Sequence, residues 1–456
     1  MRKAVYTYAW DYLGEGVDTV LERVKAAGCR EVIVAMAYHA GRFLLPHNPK
    51  RRIYYPEDGV VYFEPDGARY AGQRLKPAVA SIFNADLRYG DFKVHVGREL
   101  ARRRFASDSE RPSQAKALHE TWTTVAALSP NLISDSRDLM GEIISRAKKL
   151  GLDVTAWFVC FHNSRLGFLH PDIVARNAFG DPYYHYLCPM NEHAAGYVLN
   201  LLGDFTSRYA VSGIFLESFS YSGFEHGYHH EFYGVTVGEK LSALLGLCFC
   251  NSCRKAAKKR GIDVERLAGA VRRRIAECIG ECGRGKTAAS GGIIEELGKL
   301  PGMKKYLKMR CERVGHLLSE ARRITAQRKM RLDYFGPVFA PVNMSVLEGI
   351  DLAGVEENID RYVLRIEEKE PEKVEGEIRY AKRYFKPEKI VLSLRLFDRA
   401  TPSRQNLAAK LKLAEKQGLA GCNFYNYGMV PLERLNWLKG GKLPTTDAHG
   451  LTRITA

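Results

Sequence analysis

The stretch VSGIFLESFSYSGFEHGYHHE, residues 211 to 231, opens as an apolar run, delivers Glu217 at its end, and crowds aromatic and histidine side chains just beyond. A carboxylate there costs several kcal/mol to desolvate unless it is paired or faces a solvated cleft. Glu217 therefore reads as a general acid, general base or nucleophile. Two more places could supply a second carboxylate: RYVLRIEE, which ends in Glu367 and Glu368, and Asp398 a little further on. A pair of carboxylates is what glycosidic cleavage requires. One protonates the leaving oxygen and the other attacks or activates water, at separations of about 5 Å or about 6.5–9.5 Å. Of the two adjacent glutamates one must point inward, which favours Glu367 as the partner of Glu217, with Asp398 as the alternative.

For these residues to meet, strands far apart in sequence must end at one mouth. The chain supplies such strands. KAVYTYAW and EVIVAMAY flank the helical VDTVLERVKAAGC, and SRDLMGEIISRAKKLGL, framed by serine and glycine, feeds DVTAWFVCFHN. EHAAGYVLNLLGDFTSRY precedes the Glu217 strand; MRLDYFGPVF, DRYVLRIEE, KIVLSLRLF and AGCNFYNYGM then alternate with helical segments. Eight apolar strands alternating with helices predict a (β/α)8 TIM barrel of the α/β class. Two interruptions are predicted: a long loop or hairpin excursion after strand 2, residues 40–134, and a basic helical insertion after strand 4, residues 238–330. We expect one catalytic domain over residues 1–440 and a tail at 441–456.

Barrel sites sit at the C-terminal strand ends. That rule nominates Asp11, His39, His162, Asn163, Asp333, Arg395, Asn426 and Tyr427 as substrate-binding residues around Glu217. The loop after strand 4 adds Tyr221, His226, His229 and His230. Carboxylates, histidine, asparagine, arginine and aromatic rings suit a sugar: the polar groups meet hydroxyls, and rings such as Trp10, Tyr38, Trp157 and Tyr425 can stack on sugar faces. The same aromatics could equally be core.

Cys248, Cys250 and Cys253 have the spacing C-x-C-x-x-C. They could hold a structural zinc ion, with a fourth ligand from Cys188, Cys278, Cys282 or a histidine, or they could be buried reduced thiols. The favoured chemistry itself requires no cofactor. HGYHHE has the composition of a metal site but not the H-E-x-x-H helical signature.

GIFLES, the aromatic loop after it and LCFCNSCRKAAKKRGID together resemble the glycoside hydrolase-like TIM barrels, in which a strand ending in Glu or Asp precedes a cysteine motif and a basic helix. The resemblance is clearest over residues 153–263 and fainter over 1–440. It implies a barrel hydrolase with Glu217 at the acidic position after the fourth strand. The Asn–Glu pair used there by many retaining barrel glycosidases is absent.

The remaining readings follow from composition. The formal charge of +17 in 456 residues invites nucleic acid, but the excess gathers between Arg254 and Arg331 at spacings that suit exposed helical faces, with no recognition motif. Nucleic acid is thus not the expected partner; carbohydrate is. No Rossmann or Walker glycine pattern and no nucleophile elbow is present. No apolar run is long enough to span a bilayer, the first residues read as a strand, and ten scattered cysteines lack an extracellular framework, so we expect a cytoplasmic protein. Two alternatives to a glycosidase stay open: a metal-dependent barrel hydrolase or lyase using His39, His162 and the HGYHH loop, and a non-catalytic sugar- or nucleic-acid-binding barrel.

Overall fold

A computed structural model describes residues 1–50, 52–80, 138–224, 234–283, 292–337 and 342–439. Eight parallel strands close on themselves: β1 (Arg2–Tyr8), β2 (Glu31–Tyr38), β3 (Asp153–Val159), β4 (Gly213–Glu217), β5 (Arg331–Phe335), β6 (Arg361–Ile366), β7 (Ile390–Arg395) and β8 (Gly421–Tyr425). Each pairs with its neighbours in sequence order, and β1 pairs with both β2 and β8, which makes a closed (β/α)8 barrel. The strands are apolar because helices cover them outside while side chains fill them inside. β2 is buried at all eight positions. Inside, the Tyr6 ring meets Trp157, Phe215 and Tyr425 edge-on at 5.3, 5.6 and 5.7 Å.

The floor at the N-terminal ends of the strands is charged. Glu31, nearly inaccessible, receives Arg2 at 2.8 Å, Arg361 at 3.5 Å and Arg331, and Arg331 also holds Asp333 at 2.8 Å. Asp333 was expected at the mouth. It sits instead in the lower half of β5, where a guanidinium two residues earlier on the same face captures it.

Helix Leu139–Lys149 is capped by the Asp138 carboxylate, which accepts from the Gly141 N–H at 3.0 Å. Gly151, at φ +69°, lets the chain reverse into β3. The region after β2 does form a hairpin, Phe43–Leu44 against Ile53–Tyr54, and Val60–Val61 pairs antiparallel with the end of β2. Residues 81–134 of the expected excursion lie outside the described residues, as does the expected tail at 441–456. The aromatic stretch after β3 is more ordered than a loop. It holds a helix, Ser164–Leu169, and an antiparallel pair, Val174–Arg176 with Pro182–Leu187.

The insertion after β4 is helical as expected, with Asn251–Lys259, Val264–Gly283 and Met303–Ala326 as its longer members. It buries an apolar cluster of its own, including Leu244, Leu267, Val271 and Met309, against the arm around Ala175 and Cys188. Several of its basic residues pair with carboxylates: Arg254 with Glu265, Arg260 with Glu312, Arg274 with Glu277 and Glu296. No described helix is long and apolar enough to cross a membrane.

Candidate active site

The C-terminal mouth of the barrel holds a cavity of about 440 Å³, open to one side. Its polar groups come in pairs two residues apart, because alternate side chains of a strand face the same way. β6 with the residue after it contributes Arg365 and Glu367, and β7 contributes Ser393 and Arg395. On β4 the pair is Phe215 and Glu217. Tyr6, Tyr38, Trp157, Phe335 and Tyr425 complete the barrel's share, while His39 and Phe43 come from the segment after β2 and Arg399 from beyond β7.

Glu217 is half-buried at the end of β4. Ser218 after it takes a left-handed backbone conformation, φ +52°, unusual for a residue other than glycine, and turns the chain sharply away from the strand. The indole N–H of Trp157 donates to Glu217 Oε2 at 2.8 Å. Burial outweighs this hydrogen bond and the charges of Arg395 and Arg365, and raises the carboxyl pKa to about 7. Glu217 therefore holds its proton to higher pH than an ordinary carboxylate.

Glu367 is the more exposed of the two and is ion-paired with Arg395 at 2.7 Å and Arg365 at 3.6 Å. The same two guanidiniums act on Glu217, so the carboxylates share a charge environment without being alike. Three phenols are linked at the wall: Tyr38 and Tyr425 line the cavity, and the inaccessible Tyr8 lies behind them. The Tyr8 hydroxyl lies 2.9 Å from that of Tyr38 and 2.6 Å from that of Tyr425. Burial pushes Tyr8 and Tyr38 well above the usual phenol range, so they stay hydrogen-bonding hydroxyls. His39 stacks between Tyr38 and His162, each ring centroid 4.4 Å away.

The other expected site residues fall elsewhere. Asp398 does not line the cavity; it is exposed and ion-paired with Arg434. Asp11 lies in the first turn of the helix Ala9–Glu15, because β1 ends at Tyr8, earlier than the apolar run implied; it accepts from the Tyr8 N–H at 2.8 Å. Burial raises its pKa to about 7. Asn163 caps the helix Ser164–Leu169 through the Leu166 N–H at 2.9 Å. His162 supports His39 from behind. Tyr427 donates its hydroxyl to Glu15 at 2.9 Å, and Asn426 Oδ1 accepts from the Met429 N–H at 3.0 Å. Both are inaccessible and tie the end of β8 down. Tyr221 is buried in the insertion's apolar cluster. His226, His229 and His230 lie outside the described residues.

Tyr6, Phe43, Phe215, Phe335, Arg365, Ser393 and Arg399 were not singled out in the sequence. Counting back by two from Glu217, Glu367 and Arg395 finds Phe215, Arg365 and Ser393. Nothing local in the sequence marks Phe43 or Arg399.

Among the described residues, one group of histidine, cysteine or carboxylate side chains is close enough to share a metal ion: Cys188, Cys248, Cys250 and Cys253, all buried. It lies where the arm after β3 meets the insertion, and none of its members lines the cavity.

The site and fold together define a class, a (β/α)8 barrel with an aromatic, two-carboxylate cavity at its C-terminal mouth. No family model matches the chain, and no curated protein matches it. Among solved structures it is similar to the glycoside hydrolase domain of PgaB (BpsB) from Bordetella bronchiseptica, at 10% identity and a TM-score of 0.48 over 93% of this chain and 94% of that one. It is also similar to the β-amylase catalytic domain from Paenibacillus polymyxa, at 10% identity and a TM-score of 0.45, covering 97% and 95%. With α-L-fucosidase isoenzyme 2 from Paenibacillus thiaminolyticus the identity is 12% and the TM-score 0.48, over 96% of this chain but 48% of that one, so the chain spans about half of its length. At these identities the likeness is one of fold.

Proposed function

We propose that the protein is a glycoside hydrolase in which Glu217 is the general acid/base and Glu367 the second carboxylate. One observation carries the reading: a carboxyl raised to about 7 in an aromatic cavity that also holds an arginine-paired carboxylate. A carboxyl that holds its proton and a second one ion-paired to arginines can divide the work of glycosidic cleavage. Protonated Glu217 gives its proton to the leaving oxygen. Either Glu367 attacks the anomeric carbon and Glu217 then takes a proton from the water that releases the glycosyl-enzyme, or Glu367 takes the proton of the attacking water and Glu217 is reprotonated from solvent. The phenols of Tyr38 and Tyr425, which line the cavity, provide hydroxyl partners, and the aromatic lining that includes Trp157 provides apolar surface for the sugar.

A second cavity of about 390 Å³ adjoins the first and shares Arg365 and Glu367 with it. Two cavities that meet at shared lining residues suit an oligosaccharide better than a single sugar. The test is a screen on aryl glycosides and natural oligosaccharides, followed by NMR of the first-formed anomer. Hydrolysis that Glu217→Gln abolishes is expected, and the anomer then assigns the role of Glu367. Absence of cleavage by the wild-type protein across the screen would contradict the reading.

A further inference from the structure

Four cysteine sulfurs converge where the arm after β3 meets the helical insertion. Cys188 follows the strand Pro182–Leu187; Cys248, Cys250 and Cys253 surround the start of helix Asn251–Lys259. Cys188 Sγ lies 3.5 Å from Cys253 Sγ, 3.5 Å from Cys250 Sγ and 3.8 Å from Cys248 Sγ, and all four sulfurs fall within 4.8 Å of one another. None is disulfide-bonded. A tetrahedral ion with bonds of about 2.3 Å to sulfur sets neighbouring sulfurs about 3.8 Å apart. The spacing is thus that of a closed tetrahedral shell, and Cys188 is its fourth corner in place of Cys278, Cys282 or a histidine.

Beside the cluster stands a side chain without an explanation of its own. Arg310 is wholly inaccessible, and none of its three guanidinium nitrogens has a hydrogen-bond partner among the described residues. Its guanidinium carbon lies 4.1 Å from the centre of the Tyr221 ring, whose hydroxyl is 3.9 Å from Cys253 Sγ. A buried, unpaired guanidinium is costly unless an anion balances it nearby. Four thiolates around a divalent ion carry two net negative charges. The N-terminus of helix Asn251–Lys259, with Cys250 as its N-cap, adds favourable dipole charge on the same side.

We propose that Cys188, Cys248, Cys250 and Cys253 hold one zinc ion as a tetrathiolate, with Arg310, stacked on Tyr221, as its counter-charge. All four positions of the metal are filled by protein, so its role is structural. Such a shell also suits iron; zinc is chosen because it binds a given site more tightly than ferrous iron. The ion fastens the arm to the insertion and bears on Tyr221, whose N–H donates to the Glu348 carbonyl at 2.8 Å. That fixes the chain just beyond Ser218 and Glu217.

The test uses the full chain expressed with zinc and iron both supplied and purified without chelators. Elemental analysis is expected to find one zinc per chain, and cobalt replacement to give the visible bands of tetrahedral cobalt thiolate. Cys188→Ser is expected to lose the metal. Arg310→Met is expected to give zinc up to a chromogenic chelator at about tenfold lower concentration than wild type, with Arg310→Lys restoring most of the affinity. Metal-free or iron-loaded protein would overturn the zinc site. Unchanged zinc affinity in Arg310→Met would overturn the counter-charge. Should Arg310→Met not fold, Arg310→Gln against Arg310→Lys carries the comparison, with equal affinities overturning it. These readouts do not depend on glycosidase activity.

Discussion

Glu217 derives its acidity from three kinds of neighbour: the apolar wall that desolvates it, the Trp157 indole that hydrogen-bonds its ionised form, and the arginines on β6 and β7. The raised pKa has a sign that can be measured. Ionisation of Glu217 is harder in the folded chain, so stability is fully present below about pH 4.5 and is lost as pH rises through about 7. Glu217→Gln removes that cost. It is expected to stabilise the protein by about 1–3 kcal/mol at pH 8, with the gap closing below about pH 4.5, in urea unfolding at the two pH values. Catalysis should show the same group. Activity that needs protonated Glu217 falls above about pH 7. Trp157→Phe deletes a hydrogen bond that favours the ionised form, so its alkaline limb is expected to move to higher pH in the pH–rate profile.

At the scale of elements, the site depends on how closely supporting segments approach the barrel. Gly167, in the helix Ser164–Leu169, lies so close to the strand Pro182–Leu187 that an added Cβ would come within 1.7 Å of the Tyr184 carbonyl oxygen. Backbone cannot yield as a side-chain tip can. Gly167→Ala is therefore expected to destabilise the chain by about 2–4 kcal/mol in urea unfolding. The barrel strands were legible because each is an apolar run followed by turn residues, and β2 falls at the residues its pattern indicated. Strand ends were harder. KAVYTYAW is apolar through Trp10, yet β1 stops at Tyr8 and the chain turns helical, which carries Asp11 out of the mouth. Asp333 was misplaced because the sequence shows that a carboxylate lies on a strand, not how far along the barrel axis it sits. Glu367, favoured because one of two adjacent glutamates must point inward, lines the cavity, whereas Asp398, the alternative, is drawn outward by Arg434, a residue far along the chain. The fourth cysteine needed the fold, since Cys188 lies sixty residues before Cys248 in the chain.

At the scale of the molecule, the barrel is closed by polar chemistry at both ends. At the floor, burial would raise the pKa of Glu31, but Arg331 and Arg2 prevail and hold it below the ordinary carboxylate range. That contribution to stability is present above the unfolded pKa of about 4.3 and is lost as pH falls. Glu31→Ala leaves three arginines facing one another and is expected to cost about 3–5 kcal/mol at pH 7, read by urea unfolding. The proposed chemistry lies at the mouth. The most direct test of the account is the rate of glycoside hydrolysis by the wild-type chain and by Glu217→Gln, measured side by side on the best substrate of the screen. The account predicts cleavage by the wild type and a fall of about a thousandfold or more in kcat for the variant, with binding of the oligosaccharide retained. Equal rates for the two proteins would contradict it.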